Sequence, residues 1–212
     1  GAKLVEGYGL TETAGVAATN PFDGREVPGS VGQPLPGTDL RLLDRDDSQR
    51  DAAPGEPGEL AIAGPQVMAG YWKRGGEDAF VALDGRRWLR TGDVAVIDED
   101  GYVHIVDRMK DMIAVSGFKV FPSQVEAVLL DHPAVREAAV VGVPHPYTGE
   151  AARAFVVLAA GRTETGEDIA AWLNARVGKH ERVDRVELRA SLPKTLVGKL
   201  DRKALRGEAA GR

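Results

Sequence analysis

Hydrophobic residues in the first half of the chain occur in short runs separated by Gly, Pro and Asp. Three of these runs are rich in Leu, Ile and Val and span residues 39–43, 59–63 and 93–97. Runs of this length between turn-forming residues are typical of β-strands. A further strand is expected near the start of the chain, over residues 2–6. The pattern therefore predicts a strand-rich region that extends to residue 109.

Residues 93–108 have the pattern of a β-hairpin. Two apolar runs, at residues 94–97 and 102–106, flank a polar turn that ends in Gly101. A short polar turn ending in glycine between two β-prone runs favours such a hairpin. Because its two strands run back on each other, we expect Asp93 and Arg108 to face one site.

After Lys110 the pattern changes to alternating strands and helices. Pro122 is well placed as the first residue of a helix, and Pro133 marks the end of that helix. A second helix is predicted near Thr165, whose spacing to Asp168 fits a capping box. The apolar positions of the two helices are Val125, Val128 and Leu129 in the first, and Ile169, Trp172, Leu173 and Val177 in the second.

Strands are predicted around and after these helices, at residues 138–143, 154–158 and 183–188. Trp172 lies on the apolar face of its helix, so we expect it in the core rather than against a ligand. Helices and strands of this kind predict a small α+β unit over residues 110–212. The whole chain is therefore assigned to the α+β class.

The composition is that of a folded protein without cysteine chemistry. Of the 212 residues 43% are hydrophobic, which argues against disorder. The absence of cysteine excludes disulfides, thiolate metal sites and cysteine nucleophiles, and it is compatible with a reducing cytoplasm. No apolar run approaches the roughly 20 residues of a membrane-spanning helix. We therefore expect a cytoplasmic protein, for which peripheral membrane contact stays open.

Charge is distributed unevenly between the two regions. Residues 1–109 hold 11 Lys and Arg against 19 Asp and Glu, a net charge of -8, whereas residues 110–212 hold 16 against 13, a net of +3. The basic region could attract a polyphosphate ligand. Ordinary variation of surface charge explains the same numbers equally well. A nucleic-acid partner has little support.

Five short motifs occur in order along the chain. They are GYGLTET at residues 7–13, TGD at 91–93, DRMKD at 107–111, SGFKVFP at 116–122 and LPKTLVGKLD at 192–201. Each motif alone is a weak signal. In this order and spacing they resemble the adenylate-forming (AMP-binding, acyl-CoA synthetase) superfamily, most nearly the bacterial long-chain fatty-acyl-CoA ligases. The resemblance covers nearly every residue from 7 to 206.

The resemblance implies an enzyme of fatty-acid metabolism that works in two half-reactions. ATP and a fatty acid form an acyl-adenylate with release of pyrophosphate, and the acyl group then passes to CoA, so ATP, Mg²⁺ and CoA are expected ligands. Residues 1–109 would be the C-terminal part of the large AMP-binding domain. Residues 110–212 would be a mobile C-terminal lobe that carries the catalytic lysine.

Enzymes of this superfamily are much longer than this chain, and their Ser/Thr/Gly-rich phosphate loop is not found in it. We therefore expect a C-terminal fragment that works with the missing N-terminal part of the same enzyme. Alone, the 212-residue chain is expected to bind nucleotide weakly at most and to have no ligase turnover.

In the first region the resemblance assigns six residues to the nucleotide and its metal ion. The chemistry of each residue fits its role, because an aromatic ring can stack on a base, glycine permits close approach, and a carboxylate is a ligand for a hard cation. The assignments are adenine stacking for Tyr8, close backbone approach for Gly9, an α-phosphate contact for Thr11, Mg²⁺ for Glu12, the ribose for Asp93, and the ribose and phosphates for Arg108.

In the second region the resemblance assigns four further residues. Lys110 would be the hinge about which the lobe rotates between half-reactions. Gly117 would leave a path for the pantetheine thiol, and Lys119 would bind a CoA phosphate, although an exposed strand lysine explains Lys119 equally well. Lys199 would bridge the attacking carboxylate and the α-phosphate.

These assignments agree with the electrostatics of the first half-reaction. A fatty acid with a pKa of about 4 to 5 is already ionised at neutral pH, so no general base is needed. The difficulty is to bring two anions together, which calls for cations and hydrogen-bond donors. Among the residues that the resemblance assigns, the expected catalytic ones are Lys199, Thr11 and Glu12, the last through the Mg²⁺ that it would hold.

The chain departs from the family pattern at one place, and other functions stay open. Residues 180–183 read His-Glu-Arg-Val where the family commonly has Tyr-Lys-x-Pro, which puts a lysine contact with CoA or with the partner lobe in doubt. The alternatives are an adenylating domain of a peptide synthetase, a fatty-acyl-AMP ligase that serves a carrier protein, a non-catalytic fragment, and an unrelated α+β protein.

Overall fold

The computed structural model describes residues 4–73 and 75–210, and these divide into two compact units. Unit 1 is Gly1–Met109 and unit 2 is Lys110–Arg212. Each unit has its own buried core and its own β-sheets. The predicted α+β class is confirmed. In the described part of the chain, no helix has the length and apolar character needed to cross a lipid bilayer.

Unit 1 is built from two antiparallel sheets. The smaller sheet has the order β1-β2-β3 and consists of β1 (Gly7–Leu10), β2 (Gly15–Thr19) and β3 (Gln33–Pro34). The larger sheet has the order β4-β5-β7-β6, and β8 also pairs with β7. Its strands are β4 (Asp39–Leu43), β5 (Gly58–Ala63), β6 (Phe80–Leu83), β7 (Arg86–Ile97) and β8 (Val103–Arg108).

The core of unit 1 forms around β5, because all six residues of this strand are buried. Leu60 and Ile62 pack on one face of the sheet, and Ala61 and Ala63 pack on the other. A strand buried on both faces is held firmly in place. Its partner β7 is therefore carried by a rigid framework.

The strand predictions for unit 1 are confirmed except at the start of the chain. Residues 39–43, 59–63 and 93–97 lie in strands, and β7 and β8 form the predicted hairpin, in which Asp93 pairs directly with Arg108. The strand expected over residues 2–6 is wrong for residues 4–6, since the first strand begins at Gly7 where pairing with β2 begins. Residues 2 and 3 lie outside the described residues.

Unit 2 is a five-stranded sheet with helices on both faces. The sheet order is β10-β9-β12-β11, and β13 pairs in parallel with β12. Its elements are β9 (Ile113–Val115), β10 (Phe118–Val120), α1 (Pro122–Leu130), β11 (Val135–His145), β12 (Gly149–Leu158), α2 (Gly166–Asn174), β13 (Val183–Leu188) and α3 (Arg202–Ala210).

The two faces of this sheet have separate cores. Leu129 of α1 and Leu173 of α2 pack on one face, whereas Leu205 of α3 packs with Phe155 on the other. The alternation of β12 explains the division, since neighbouring residues of a strand point to opposite faces. Helix α3 is therefore separated from α1 and α2 by the sheet.

Both predicted helix starts are confirmed. Pro122 is the first residue of α1, which ends at Leu130, before Pro133. Thr165 Oγ1 accepts the Asp168 N–H at 3.1 Å, and the Asp168 carboxylate accepts the Thr165 N–H at 3.0 Å, so the capping box is formed. The hydrogen bonds to Thr165 also lower the pKa of the Asp168 carboxyl.

Two details of the helices differ from the sequence pattern. Trp172 is half-buried against the core and meets His132 edge-on, with ring centroids 4.8 Å apart, so it packs as expected without being enclosed. Val177 packs on the same cluster although α2 ends at Asn174. Helix α3 was not predicted, because among the described residues only Leu205 and Ala209 give it a buried stripe.

Candidate functional site

Strand β7 contains a bulge at residues 91–93. Arg90 pairs with Ala61 and Val94 pairs with Glu59, so three residues of β7 lie opposite one residue of β5. Gly92, in the middle of the bulge, has φ +71°, which favours glycine. A bulge bends its strand and changes the direction of a side chain. Here the side chain at the end of the bulge is that of Asp93.

Hydrogen bonds from Thr91 hold the bulge on both sides. The Thr91 hydroxyl donates to the carbonyl of Leu60 at 2.7 Å, and the same oxygen accepts the N–H of Asp93 at 3.1 Å. The first bond joins the bulge to the neighbouring strand, and the second joins its first residue to its last. Thr91 therefore fixes the backbone from which the Asp93 side chain extends.

A buried carboxylate, that of Glu59, completes the support of the bulge. Its side chain is only 4% exposed and accepts two bonds from Arg90, of 3.0 Å from Nε and 2.8 Å from Nη2. The other carboxylate oxygen accepts the Gly92 N–H at 3.2 Å. A buried charge needs such pairing, because an unpaired one is strongly destabilising. Glu59 thus links the core strand to the bulge.

Asp93 joins two of the other predicted site residues. Its side chain is 5% exposed and pairs with Arg108 Nε at 3.1 Å through one oxygen. The other oxygen accepts a hydrogen bond of 2.6 Å from the Tyr8 hydroxyl. Tyr8, Asp93 and Arg108, from three different strands, are therefore brought together.

The environment of Tyr8 keeps its hydroxyl protonated. Burial of the ring raises the pKa of Tyr8 well above its ordinary value, and the hydrogen bond to the Asp93 carboxylate raises it further. A protonated hydroxyl can donate to a carboxylate, whereas a phenolate would repel it. The pair therefore depends on the neutral form of Tyr8.

The segment after β1 is a single 3-10 turn, Thr11–Thr13. Thr13 is buried, and its hydroxyl oxygen accepts the Leu10 N–H at 2.9 Å and lies 2.8 Å from the Gly15 carbonyl, to which it donates. Thr11 is exposed at the start of the turn. The turn therefore presents Thr11 at the surface immediately after the strand that holds Tyr8.

The packing of β1 against β2 requires glycine at position 9. A Cβ at this position would lie 1.8 Å from the carbonyl oxygen of Gly15, so β1 and β2 could not approach each other as they do. Glycine at this position is therefore required by the packing of β1 against β2. Its predicted contact with a nucleotide stays a prediction.

The carboxylate of Glu12 is held by a tyrosine that the sequence analysis gave no role. The Tyr71 hydroxyl donates to Glu12 Oε1 at 2.6 Å, and this hydrogen bond raises the pKa of Tyr71. The carbonyl of Glu12 also accepts the Met68 N–H at 2.8 Å. Within residues 4–73 and 75–210, no group of three or more His, Asp and Glu could hold a metal ion.

A shallow cavity of about 400 Å³ adjoins these residues. Its walls are formed by β1 and β2 and include Tyr8, Gly9 and Val16. Val16 is 50% exposed, so the cavity has an apolar surface open to solvent. A flat aromatic ligand fits this kind of surface better than a charged one does.

In unit 2, Gly117 lies at the tip of the β9–β10 hairpin. Ser116 and Gly117 have φ +50° and +86°, the two positive values of a tight hairpin turn. A Cβ at Gly117 would meet no atom within 4 Å, so a side chain would not clash with the rest of the protein. Glycine is favoured here because of its positive φ. Lys119 is half-buried on β10.

One ring of an aromatic pair, that of Phe118, belongs to this hairpin. Phe118 is 58% exposed, and its ring stacks on His180 with centroids 4.9 Å apart and planes at 16°. This contact of His180 was not predicted from the sequence. The segment 180–183, which departs from the family pattern, therefore contributes an aromatic contact to the hairpin.

Lys199 lies in residues 193–201, which we call the Lys199 loop. Its side chain is exposed, and so are those of Leu196 and Val197. Lys194 forms an isolated bridge with Leu200, so the loop is a short turn closed at its base. The ammonium group of Lys199 is therefore presented to solvent by a defined backbone.

The candidate residues of unit 2 lie apart from one another. Gly117 is in the hairpin at the β10 edge of the sheet, whereas the Lys199 loop leads into α3 on the face away from α1 and α2. Lys110 is the first residue of the unit, in the 3-10 turn Met109–Asp111. Gly117, Lys199 and Lys110 therefore do not form one site within unit 2.

No role was predicted from the sequence for Glu59, Arg90 or Tyr71. None of the three lies in the five motifs named above. A charged residue directly before the apolar residues of a predicted strand, as Glu59 is in residues 59–63, was an available signal, because such a residue needs a partner when it is buried. The partner itself could not be identified without the strand register.

Comparisons with known proteins agree with this arrangement. Residues 1–72 match the family described as AMP-binding enzyme, and residues 124–199 match the AMP-binding enzyme C-terminal domain. The long-chain-fatty-acid–CoA ligase of Escherichia coli O157:H7 is 46% identical over 212 residues, which are 100% of this chain and 37% of the relative. The ligase of the same description from Bacillus subtilis is 43% identical over 205 residues, 97% of this chain and 36% of the relative.

A solved structure extends the likeness to the fold. ATP-bound MatB from Rhodopseudomonas palustris has a TM-score of 0.88 and 36% identity, over 97% of this chain and 40% of that chain. The chain thus spans about 37% of the length of the first curated relative it matches. The two family matches fall in different units and agree with the order of the five motifs. This chain belongs to the adenylate-forming family of AMP-binding enzymes.

Proposed function

We propose that this chain is part of a cytoplasmic, AMP-forming fatty-acid–CoA ligase. The observation that carries the proposal is the group formed by Tyr8, Asp93 and Arg108. Its member Tyr8 is in the strand that leads directly into the turn with Thr11 and Glu12. This group is within the unit whose first 72 residues match the AMP-binding enzyme family. The names of the most similar curated relatives support the acyl substrate and the thiol acceptor.

The residues around Asp93 fit the ribose and base of ATP. A carboxylate can accept hydrogen bonds from both ribose hydroxyls, and the Asp93 carboxylate is fixed in direction by Tyr8 and Arg108. Arg108 is 52% exposed, so its guanidinium can also contact phosphate oxygens. The cavity beside Tyr8 has room and an apolar wall for the adenine.

The donor set also fits Mg²⁺ at Glu12. A magnesium ion is commonly held by one or two carboxylates together with waters and phosphate oxygens. Glu12 supplies one carboxylate, and Tyr71 orients it through a 2.6 Å hydrogen bond. When bound, Mg²⁺ would neutralise the charge that develops on the phosphates. Thr11 would donate its hydroxyl to the α-phosphate.

In the first half-reaction, a carboxylate oxygen of the fatty acid forms a bond to the α-phosphorus, and the bond to pyrophosphate breaks. Lys199 stabilises the approach of the two anions. A unit charge pair at about 4 Å is worth about 1 kcal/mol in water and about 4 kcal/mol at an effective dielectric of 20, so Lys199 acts best where water is excluded. Its exposed position suits delivery into such a site.

In the second half-reaction, the CoA sulfur forms a bond to the acyl carbonyl carbon, AMP leaves with the electrons of the broken bond, and the thiol proton passes to water. Gly117 would leave the path of the pantetheine free, and Lys119 would bind a CoA phosphate. Rotation of unit 2 about Lys110 would exchange the roles of Lys199 and Gly117 between the half-reactions.

A hybrid enzyme tests this function. Residues 1–212 replace the matching segment of the Escherichia coli relative, to which they are 46% identical. Fatty-acid-dependent exchange of pyrophosphate into ATP reports the first half-reaction, and thioester formation with CoA or with an acyl carrier protein reports the second. We expect exchange and transfer to CoA, with preference for long-chain fatty acids over short-chain and aromatic acids.

Two results of this experiment would contradict the proposal. Acyl transfer to carrier protein with none to CoA would assign the chain to an acyl-AMP ligase. A folded hybrid without any exchange would show that these residues cannot support adenylation.

A further inference from the structure

The backbone of the Lys199 loop is fixed by its own hydrogen bonds. The Thr195 N–H donates to the Lys199 carbonyl at 2.7 Å, and the Lys199 N–H donates to Thr195 Oγ1 at 3.2 Å. At the base, the Asp201 N–H donates to the Pro193 carbonyl at 2.9 Å. The position of the ammonium group therefore depends on how the loop as a whole is anchored to unit 2.

The loop has an apolar anchor before it and an ionic anchor after it. Leu192 is 6% exposed and packs in the same cluster as Phe155 and Leu205. Apolar contacts hold a segment in place without fixing its orientation, because the hydrophobic effect is non-directional. Arg202, the residue after the loop, makes the directional contacts.

Arg202 is bonded to the carboxylate of Glu126 through two nitrogens. Its Nη2 donates to Glu126 Oε2 at 2.9 Å, and its Nη1 donates to Glu126 Oε1. The two side chains are 20% and 12% exposed, so the pair is largely shielded from water. A two-point arginine–carboxylate pair fixes geometry as well as charge, which a lysine cannot do.

The same pair closes the free edge of the sheet in unit 2. Strand β11 is at the end of the sheet order, and among the described residues no strand pairs with its outer side, where the N–H and carbonyl of Val140 lie. The Val140 N–H donates to Glu126 Oε1 at 2.7 Å, and its carbonyl accepts from Arg202 Nη1 at 3.1 Å. Arg202 is therefore attached to the sheet itself.

Helix α3 carries a second ionic contact, one turn beyond the first. Arg206 donates to the carboxylate of Asp111, which is 8% exposed, and to the carbonyl of Lys110 at 3.3 Å. Arg202 also lies 3.9 Å from Asp111. The helix that follows the Lys199 loop is thus joined to the first two residues of the unit as well as to α1 and β11.

We infer that Arg202 is a positioning residue for Lys199, and that its pair with Glu126 sets the direction in which the Lys199 loop presents its ammonium group. The inference rests on the proposed role of Lys199 in adenylation. If it holds, loosening the pair moves the ammonium group and slows the first half-reaction. The second half-reaction does not use Lys199, so it is spared.

The test compares both half-reactions in the hybrid enzyme. Arg202→Lys keeps the positive charge but loses the two-point contact with Glu126. Glu126→Gln removes the negative charge of the pair while its side-chain oxygen can still accept the Val140 N–H. Arg136→Lys is the matched control, because Arg136 pairs with Glu137 at the surface with its side chain 55% exposed. Pyrophosphate exchange reports the first half-reaction, and thioester formation from supplied acyl-adenylate reports the second.

A displaced catalytic group can cost about 10-fold to 100-fold in rate, so we expect exchange to fall by about 10-fold or more in both variants and thioester formation to change by less than about twofold. The control changes neither rate. In a Lys199→Ala background, adding Arg202→Lys causes no further loss of exchange, since the two residues act as one unit.

Three outcomes would overturn the inference. Equal loss of both half-reactions would show that Arg202 only supports the fold of unit 2. Normal exchange in both variants, in an enzyme that Lys199→Ala disables, would show that Lys199 is positioned without Arg202. Normal exchange in Lys199→Ala itself would remove the proposed role of Lys199, and the inference would fall with it.

Discussion

The hydroxyl of Tyr8 donates a hydrogen bond of 2.6 Å to Oδ2 of Asp93, across 85 positions of the sequence. Tyr8 is in β1 of the smaller sheet of unit 1, and Asp93 is the last residue of the bulge in β7 of the larger sheet. The bond leaves the other carboxylate oxygen to Arg108. A change at Tyr8 therefore reaches the carboxylate that we assign to the ribose.

Removing the Tyr8 hydroxyl should weaken nucleotide binding. Tyr8→Phe keeps the ring but takes one donor from the Asp93 carboxylate, and loss of such a bond is worth about 1 to 2 kcal/mol, or roughly 5-fold to 30-fold. We expect the KM for ATP of the hybrid enzyme to rise by about that factor. Tyr102→Phe is the matched control, because Tyr102 donates to the Arg25 carbonyl at 2.7 Å elsewhere in the unit. An unchanged KM in Tyr8→Phe would contradict the assignment.

The stability of unit 1 should decrease in alkaline solution because of Tyr8. The folded state raises the pKa of Tyr8 above its ordinary value of 10.0, mainly through burial. Above about pH 10 the unfolded chain releases this proton while the folded unit retains it, so the stabilisation is complete below pH 10 and is lost as the pH rises further. Chemical unfolding of the chain from pH 8 to pH 11 should show this decline, and Tyr8→Phe should make it shallower. An equal decline in both proteins would refute the account.

Glu59→Gln should reduce discrimination between ATP and 2′-deoxyATP. The carboxylate of Glu59 binds Arg90 and the Gly92 N–H, and it thereby holds the bulge that directs Asp93. If Asp93 accepts from the ribose hydroxyls, a less well-positioned carboxylate loses part of a bond worth about 1.5 to 3 kcal/mol. The ratio of kcat/KM for the two nucleotides should fall by about fivefold.

Two controls make the Glu59 measurement specific. Glu26→Gln removes an exposed carboxylate of the same unit and should leave the ratio unchanged. In an Asp93→Asn background, Glu59→Gln should have no further effect on the ratio. A general loss of rate with the ratio preserved would mean that Glu59 supports only the fold.

Substitutions of Gly117 should separate backbone strain from obstruction of the thiol path. Its φ of +86° is tolerated by Asn but disfavoured for most other residues. Gly117→Asn should keep the hairpin with a modest side chain, whereas Gly117→Trp adds both strain and bulk. We expect thioester formation from supplied acyl-adenylate to fall in the order glycine, asparagine, tryptophan, with pyrophosphate exchange nearly unchanged. Loss of exchange in parallel would assign Gly117 to folding alone.

Much of the fold could be predicted because its signals are local. Pro122 and Thr165 identify helix starts by their own chemistry and that of residues within one turn. Residues 39–43 and 183–188 are recognisable as strands from their composition and their flanking turns. Helix α3 escaped prediction because most of its residues are charged or small, and its apolar contacts are with residues distant in sequence such as Phe155.

The site could be predicted only in part, since its geometry depends on register. The motifs indicated Tyr8, Asp93 and Arg108 separately, and the hairpin brought the last two together. The bulge at residues 91–93, the hydrogen bond to Tyr8 and the pairing of Glu59 with Arg90 all join distant segments. No local pattern contains that information.

The central claim is that Lys199 serves the first half-reaction and not the second. Lys199→Ala and the matched control Lys194→Ala, which changes another exposed lysine of the same loop, are compared in the hybrid enzyme. We predict that Lys199→Ala loses pyrophosphate exchange by about 100-fold or more while it still forms thioester from supplied acyl-adenylate, and that Lys194→Ala keeps both activities. Exchange at the normal rate in Lys199→Ala, or equal loss of both half-reactions, would contradict the account.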